Sequence, residues 1–390
     1  MEIRLLENDE EKFQARLIST ISFHMRMDDP VLSREQCTAE TYPHWGAFDA
    51  NGKLMAHIIN HSFYSYLDGK KISNGGIGGV STLPEYRNTG AVRAIFQHLL
   101  PKAYAEGEII STLYPFSHAF YRKFGYETVC PRSIYTFTPS VLRDYSFNGE
   151  AKLWDAESSV SEWTELYNHF AQSFNLSFIR DDNQMADHLK GVYYKDRKFA
   201  YMLYQDKKPI AYIIFQDVRH DPAAILQIED VAWLKRAGFE AVLGFLSRFT
   251  ADYGTIKLPL PATMELYSII HSNQAYDIQK TTEQCYMIRV INAKELLRLV
   301  RIPENTHLVI RVIDDLIHEN NNTWELTENG IKTTDISPDL IISVHTLGQL
   351  ACGSVDFRDA EYRNDVIINS NRSSLEQVFI KKPVFIQDHF

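Results

Sequence analysis

The chain has 390 residues, of which 45% are hydrophobic and 23% charged, and its 50 acidic and 40 basic side chains leave a formal charge of −10. Such a length suggests two or three domains, and so much apolar material excludes wholesale disorder. The acidic balance without a basic run argues against nucleic acid as a partner, and no apolar run approaches the ~18 residues of a membrane span.

The first residues, MEIRLLENDEEKF, lack the apolar stretch of a signal peptide. Four scattered cysteines form no CxxC pair, which points to reduced thiols in a cytoplasmic protein. Residues 43–60 read as two strands joined by a turn at Asp49-Ala50-Asn51-Gly52. A glycine cluster, Gly75, Gly76, Gly78 and Gly79, leads into a strand ending near Thr82, where it predicts a bulge or a close approach by a ligand. Beyond Gly90, Val92, Ile95, Phe96 and Leu99 fall on one face of a helix over about 90–104. A strand at 108–114 and a short helix at 117–124, closed by Gly125, complete this block.

A second block repeats the logic. Residues 199–218 read as a hairpin, and Gly52–Ile59 line up with Lys207–Ile214. A strand ending at Trp233 and a helix over 237–251 follow. From about 290 the character changes to an α+β module: helices at 293–301 and 345–352, strands at 307–317, 322–327 and 339–344. The final segment, Pro383–Phe390, is apolar enough to be tucked into the protein.

The stretch 78–100, GGVSTLPEYRNTGAVRAIFQHLL, carries the chemistry. A loop feeding a helix N-terminus aims unpaired N–H groups and the helix dipole at one point, where a phosphate binds. The Walker A and GxGxxG patterns are both absent. What stands there, Arg87-Asn88-Thr89-Gly90 between strand and helix, resembles motif A of the GNAT acetyltransferases, whose loop holds the pyrophosphate of acetyl-CoA. Downstream, Ser117-His118-Ala119-Phe120-Tyr121-Arg122-Lys123-Phe124-Gly125-Tyr126 resembles GNAT motif B. The resemblance implies a coenzyme site at Val80, Ser81, Thr82, Arg87, Asn88, Thr89, Gly90, Ala91, Val92, Arg93, Phe116 and Ser117. It makes Tyr121 the general acid that protonates the departing thiolate, and the N–H of Val80 the donor that polarises the thioester carbonyl.

Two copies with motifs only in the first, followed by a small α+β module, resemble the Eis (enhanced intracellular survival) family. That resemblance implies an α/β (α+β) fold of tandem GNAT domains, with a mixed sheet flanked by helices in each, and a sterol-carrier-like C-terminal domain. The divisions are 1–145, 146–288 and 289–390. It further implies direct acetyl transfer to a primary amine of a small polyamine or aminoglycoside-like molecule, a homo-oligomer (a hexamer), and the carboxylate of Phe390 as general base. An α-carboxylate has a reference pKa of about 3.5, and burial would make it a better base. Family members acting on aminoglycosides carry an acid before the last residue, where this chain has His389, with Asp388 preceding it and Asp28 and Asp29 in the early helix. A non-catalytic acetyl-CoA sensor and a lipid- or partner-binding protein on the same scaffold are the alternatives. His57 and His61, at i, i+4 without a third ligand, are expected to bind no metal.

Overall fold

A computed structural model describes residues 1–24, 42–129, 132–155, 158–191, 193–220, 223–271, 277–283 and 286–390. Asp28 and Asp29 lie outside the described residues. In chain order, β1 (Glu2–Leu5), β2 (His44–Phe48), β3 (Leu54–Leu67), β4 (Lys70–Thr82), β5 (Ile110–Leu113) and β6 (Glu127–Val129) belong to one sheet. A second sheet holds β7 (Arg132–Phe137), β8 (Glu150–Leu153), β9 (Lys198–Gln205), β10 (Lys208–His220), β11 (Ala223–Trp233), β12 (Thr255–Pro261) and β13 (Ile278–Glu283). The next strand, β14 (Tyr286–Val290), returns to the first sheet between β5 and β6, while β7 lies between β13 and β12.

The two copies therefore trade strands. Residues 132–137 follow the first copy in sequence yet pair with Leu258 and its neighbours, and Met287 pairs with Leu113 of the first copy. Local pattern does not announce this, because an apolar strand fits either sheet and only assembly selects its neighbour. Both expected hairpins form, the second turning on Asp206 and Lys207 at positive φ. The three helices expected around them run Ala91–Ala105, His118–Arg122 and Lys235–Leu246, the last yielding to a 3-10 turn at Ser247–Phe249.

The C-terminal module is a sheet of β15 (His307–Ile313), β16 (Thr323–Thr327), β17 (Gly330–Thr333), β18 (Leu340–Ser343) and β19 (Val366–Ile368), with a helix at Val344–Cys352. Strands β17 and β19 and the helix Arg372–Val378 escape the sequence reading, being short and without clear periodicity. This module shares one apolar cluster with the first sheet, in which Ile288 and Val290 meet Leu347 and Leu350. Arg289 on the exchanged strand is fully buried, donates to the Phe124 carbonyl at 2.8 Å and pairs with Asp314 at 2.6 Å. Burial would raise the Asp314 pKa, but Arg289 outweighs it and holds the carboxylate ionised. The short helix bearing Tyr121 is thus tied to the third module.

Glu108 is buried where Asn60 donates to it at 3.0 Å, against the glycine at position 75. Burial pushes its pKa from 4.5 up to about 7, and the Asn60 hydrogen bond offsets only part of that. A carboxyl whose folded pKa is raised binds its proton more tightly when folded. Stability therefore falls as pH rises from 4.5 to about 7, then levels off. Glu108→Gln is expected to melt with the wild type near pH ~4 and to exceed it above pH ~7 by the equivalent of ~2–3 kcal/mol, read by thermal denaturation across that range.

Candidate active site

In the first copy β4 ends at Thr82, and the helix Ala91–Ala105 begins after an eight-residue stretch that includes a 3-10 turn at Pro84–Tyr86. Asn88 and Gly90 both take positive φ, and Gly90 occupies the N-cap, where no side chain caps the helix. The N–H groups of Gly90, Ala91, Val92 and Arg93 are those an α-helix leaves without internal acceptors. A Cβ at Gly90 would meet nothing within 4 Å, so the approach to these groups is open. Arg87 and Arg93 are exposed and form no ion pair among the described residues, while the exposed Thr89 donates from its Oγ1 to the Tyr86 carbonyl at 2.7 Å. A helix N-terminus of this kind presents partial positive charge to an anion.

Upstream, the register of β3 against β4 shifts between His57–Ser81 and Ile59–Gly78, so that Gly79 and Val80 bulge opposite Ile58. Gly79 adopts φ +59°, which disfavours any side chain there. Pairing of β4 with its parallel neighbour β5 stops at Ile77–Leu113. Past that point one edge of β4 is free of a ladder partner, and a gap opens between the strands. Val80 and Thr82 are half-buried along it. The Ser81 side chain points elsewhere, its Oγ 3.4 Å from Ser19, which in turn meets His57 Nε2 at 2.9 Å.

Tyr121 lies on the helix His118–Arg122, whose N-cap is Ser117, the Phe120 N–H donating to the serine Oγ at 3.3 Å. Phe96, Phe116 and Phe120 surround its ring, and it is only 3% exposed. Burial pushes its pKa well above the phenol range, with no hydrogen bond contributing, so the hydroxyl keeps its proton. Phe116 is 65% exposed, at the end of the gap between β4 and β5. Val80 packs at the edge of the cluster that contains Tyr121 and Ile77.

Phe390 lies across the sheet. Its ring packs against Phe63, Phe178 and His61, with centroids 5.0, 5.5 and 5.7 Å apart. A Cβ at Gly76 would come within 2.4 Å of the Phe63 ring and 2.9 Å of the Phe390 ring, and one at Gly78 would stand 3.9 Å from the terminal carboxyl carbon. The glycines at 76 and 78 therefore admit the chain's own end. Alternation along a strand puts 76 and 78 on one face of β4 and Ile77, with the Tyr121 cluster, on the other.

Beside the terminus a cavity of about 840 Å³ opens between the two copies. Its wall mixes signs: Arg132 pairs with Glu283 at 2.8 Å and Lys198 with Glu229 at 3.4 Å, and Lys257 adds another cation. Neither residue before Phe390 offers free negative charge to this space. The Asp388 carboxylate accepts from Arg180 at 2.7 Å and from Tyr167 at 3.0 Å. Burial would raise its pKa, but the guanidinium holds it far below the usual carboxylate range. His389 stacks on Tyr286, and burial, reinforced by Arg132, lowers its pKa and favours the neutral ring.

Of the residues singled out in the sequence, Val80 and Tyr121 pack in one cluster with Ala91 and Val92 at the start of the helix after the Arg87–Gly90 loop, and Phe390 lies on the other face of β4. Phe63, Phe178, Arg180 and Gln387 were not singled out. Each holds the terminus through contacts distant in sequence, for which the sequence carries no local signal. Among the described residues no three His, Cys, Asp or Glu side chains converge as metal ligands.

Residues 2–129 match the family described as Acetyltransferase (GNAT) domain, and residues 293–387 match the Sterol carrier protein domain. A search of curated proteins found no match. Among solved structures, a GCN5-related N-acetyltransferase from Anabaena variabilis is similar over 100% of both chains, at 19% identity and a TM-score of 0.87. A probable N-acyltransferase from Enterococcus faecalis is similar at 18% identity and 0.88, over 100% of this chain and 99% of that one. Eis1 from Mycobacterium abscessus is similar at 17% and 0.84 over 100% of both. At these identities the likeness is one of fold.

Proposed function

We propose that this chain, whose residues 2–129 match the GNAT acetyltransferase domain, is an N-acetyltransferase that moves the acetyl group of acetyl-CoA directly onto a primary amine of a small acceptor held in the cavity between the copies. The observation that carries this reading is the Phe390 carboxyl over Gly78, on the face of β4 opposite the Tyr121 cluster. An amine must lose a proton to attack and a thiolate must gain one to leave, and a base and an acid on opposite faces of one carbonyl serve both needs.

The open N–H groups at Gly90–Arg93, with Arg87 and Arg93, would hold the pyrophosphate, and the gap beyond Ile77 would take the thioester arm between β4 and β5. Thr82, Asn88 and Thr89 border that path, with Phe116 and Ser117 at its far end. The Val80 N–H, at the bulge, would bind the oxygen that gains negative charge as the amine adds. The Phe390 carboxylate would take the amine proton, and the Tyr121 hydroxyl would give its proton to the sulfur. The second copy is built differently: only Leu234 separates β11 from its helix, so no phosphate loop exists there.

Domains at 1–145, 146–288 and 289–390 with β7 and β14 exchanged and a homo-hexamer, both resting on the Eis resemblance, and a cytoplasmic location, resting on the scattered cysteines, complete the proposal. Thiol release from acetyl-CoA, followed with an untagged C-terminus, tests it. Because the cavity wall carries both signs and Asp388 is already paired, the acceptor panel should span polyamines, aminoglycosides and zwitterionic amines. Turnover with any of them is the expected result, and coenzyme binding without turnover across the panel would overturn it.

A further inference from the structure

The second copy lacks a phosphate loop, yet its strands open in the same way as those of the first. Pairing of β11 with β12 stops at Gln227–Lys257, and the register of β10 against β11 shifts between Ile214–Asp230 and Phe215–Ile228. His57 pairs with Ser81 in the first copy, and its counterpart Tyr212 pairs with Ala232 in the second. Val231 therefore stands where Val80 stands, at the mouth of an equivalent gap, and Asp230 stands in place of Gly79.

That gap is filled by the chain's own tail. Gln387, 3% exposed, accepts from the Val231 N–H at 3.1 Å and donates to the Val231 carbonyl at 3.0 Å, satisfying both main-chain groups with one side-chain amide. One residue on, Asp388 is gripped by Arg180 Nε, while Arg180 Nη1 donates to Asp230 at 2.5 Å. Tyr167 and His188 complete the grip at 3.0 and 3.2 Å. Upstream, Phe385 is buried in a core cluster of the second copy, and Ser177 Oγ donates to its carbonyl at 2.5 Å. Three residues of extended chain span at most ~10 Å, so an anchor at Gln387 restricts where the Phe390 carboxylate can lie.

We propose that the strand gap of the second copy is a peptide receptor for the C-terminal segment, occupied by that segment in place of coenzyme, with Gln387 and Asp388 as positioning residues that hold the terminal carboxylate over Gly78. The catalytic part of this inference rests on the reading of Phe390 as the base. The test uses the full chain with Gln387→Met, which keeps length and volume but makes neither hydrogen bond, and separately Asp388→Asn, which keeps shape and loses charge. Release of Phe390 by a carboxypeptidase is timed, alongside kcat and KM for acetyl-CoA.

The expected result in either variant is release of Phe390 about tenfold faster or more, with kcat lowered by a similar factor and KM for acetyl-CoA unchanged. A tail needed only for folding would move coenzyme affinity as well. Release as slow as in the wild type in both variants overturns the receptor, whatever the activity does. Faster release with unaltered kcat keeps the receptor and removes Phe390 as the base, so the two failures are told apart.

Discussion

Adding one glycine after Phe390 is expected to lower kcat by about 10² or more while leaving acetyl-CoA affinity intact. The extension leaves the ring among Phe63, Phe178 and His61. It turns the carboxylate over Gly78 into an amide and moves the negative charge one residue away, about 3.5 Å in extended chain. Phe390→Leu, which keeps the carboxylate and an apolar anchor, should stay within about fivefold of the wild type. Steady-state kinetics across pH separates a base from a packing element. As pH nears the ~10.4 of an alkyl ammonium, the acceptor deprotonates by itself, so the deficit of the extended chain should shrink. A deficit that does not change with pH would assign the terminus a structural role.

Tyr121→Phe is expected to cost about 10² to 10⁴ in kcat, with little change in melting temperature or coenzyme affinity. No hydrogen bond contributes to the Tyr121 shift, and a phenylalanine fills the same space among Phe96, Phe116 and Phe120. Among the described residues no hydrogen bond holds the hydroxyl, which leaves it free to donate to a bound thioester. An acetyl thioester of a more acidic thiol needs less help in leaving and should recover much of the loss. If coenzyme A and the better leaving group suffer equally, Tyr121 is a packing residue and the acid lies elsewhere.

Much of this was legible in the residues. Periodicity from Val92 to Leu99 marks the helix Ala91–Ala105, and Asp206-Lys207 marks a hairpin turn. Arg87–Gly90 and Ser117–Tyr126 carry the two motifs in register. The glycines at 75–79 announced a bulge or a ligand's close approach; the bulge is present at Gly79–Val80, and it is the chain's own end that comes close. What approaches was hidden, because Phe390 reaches Gly76 and Gly78 from more than 300 residues away and no local pattern links them. The position that is acidic in family members acting on aminoglycosides is His389 here, and the neighbouring Asp388 is spent on Arg180 and is not displayed to an acceptor.

Length, patterning and motifs by themselves point to two α/β units followed by an α+β module, and they place the Arg87–Gly90 loop and Tyr121 in the first. Those are properties of short stretches, set by side-chain spacing and turn chemistry. Only the tertiary structure decides that β7 and β14 change places, that Gln387 closes the second gap on Val231, and that the terminal carboxyl stands over Gly78. Each depends on which apolar strand or unpaired main-chain group finds which partner once the chain has collapsed. That choice is made by burial and hydrogen-bond satisfaction across hundreds of residues, where local sequence has no say.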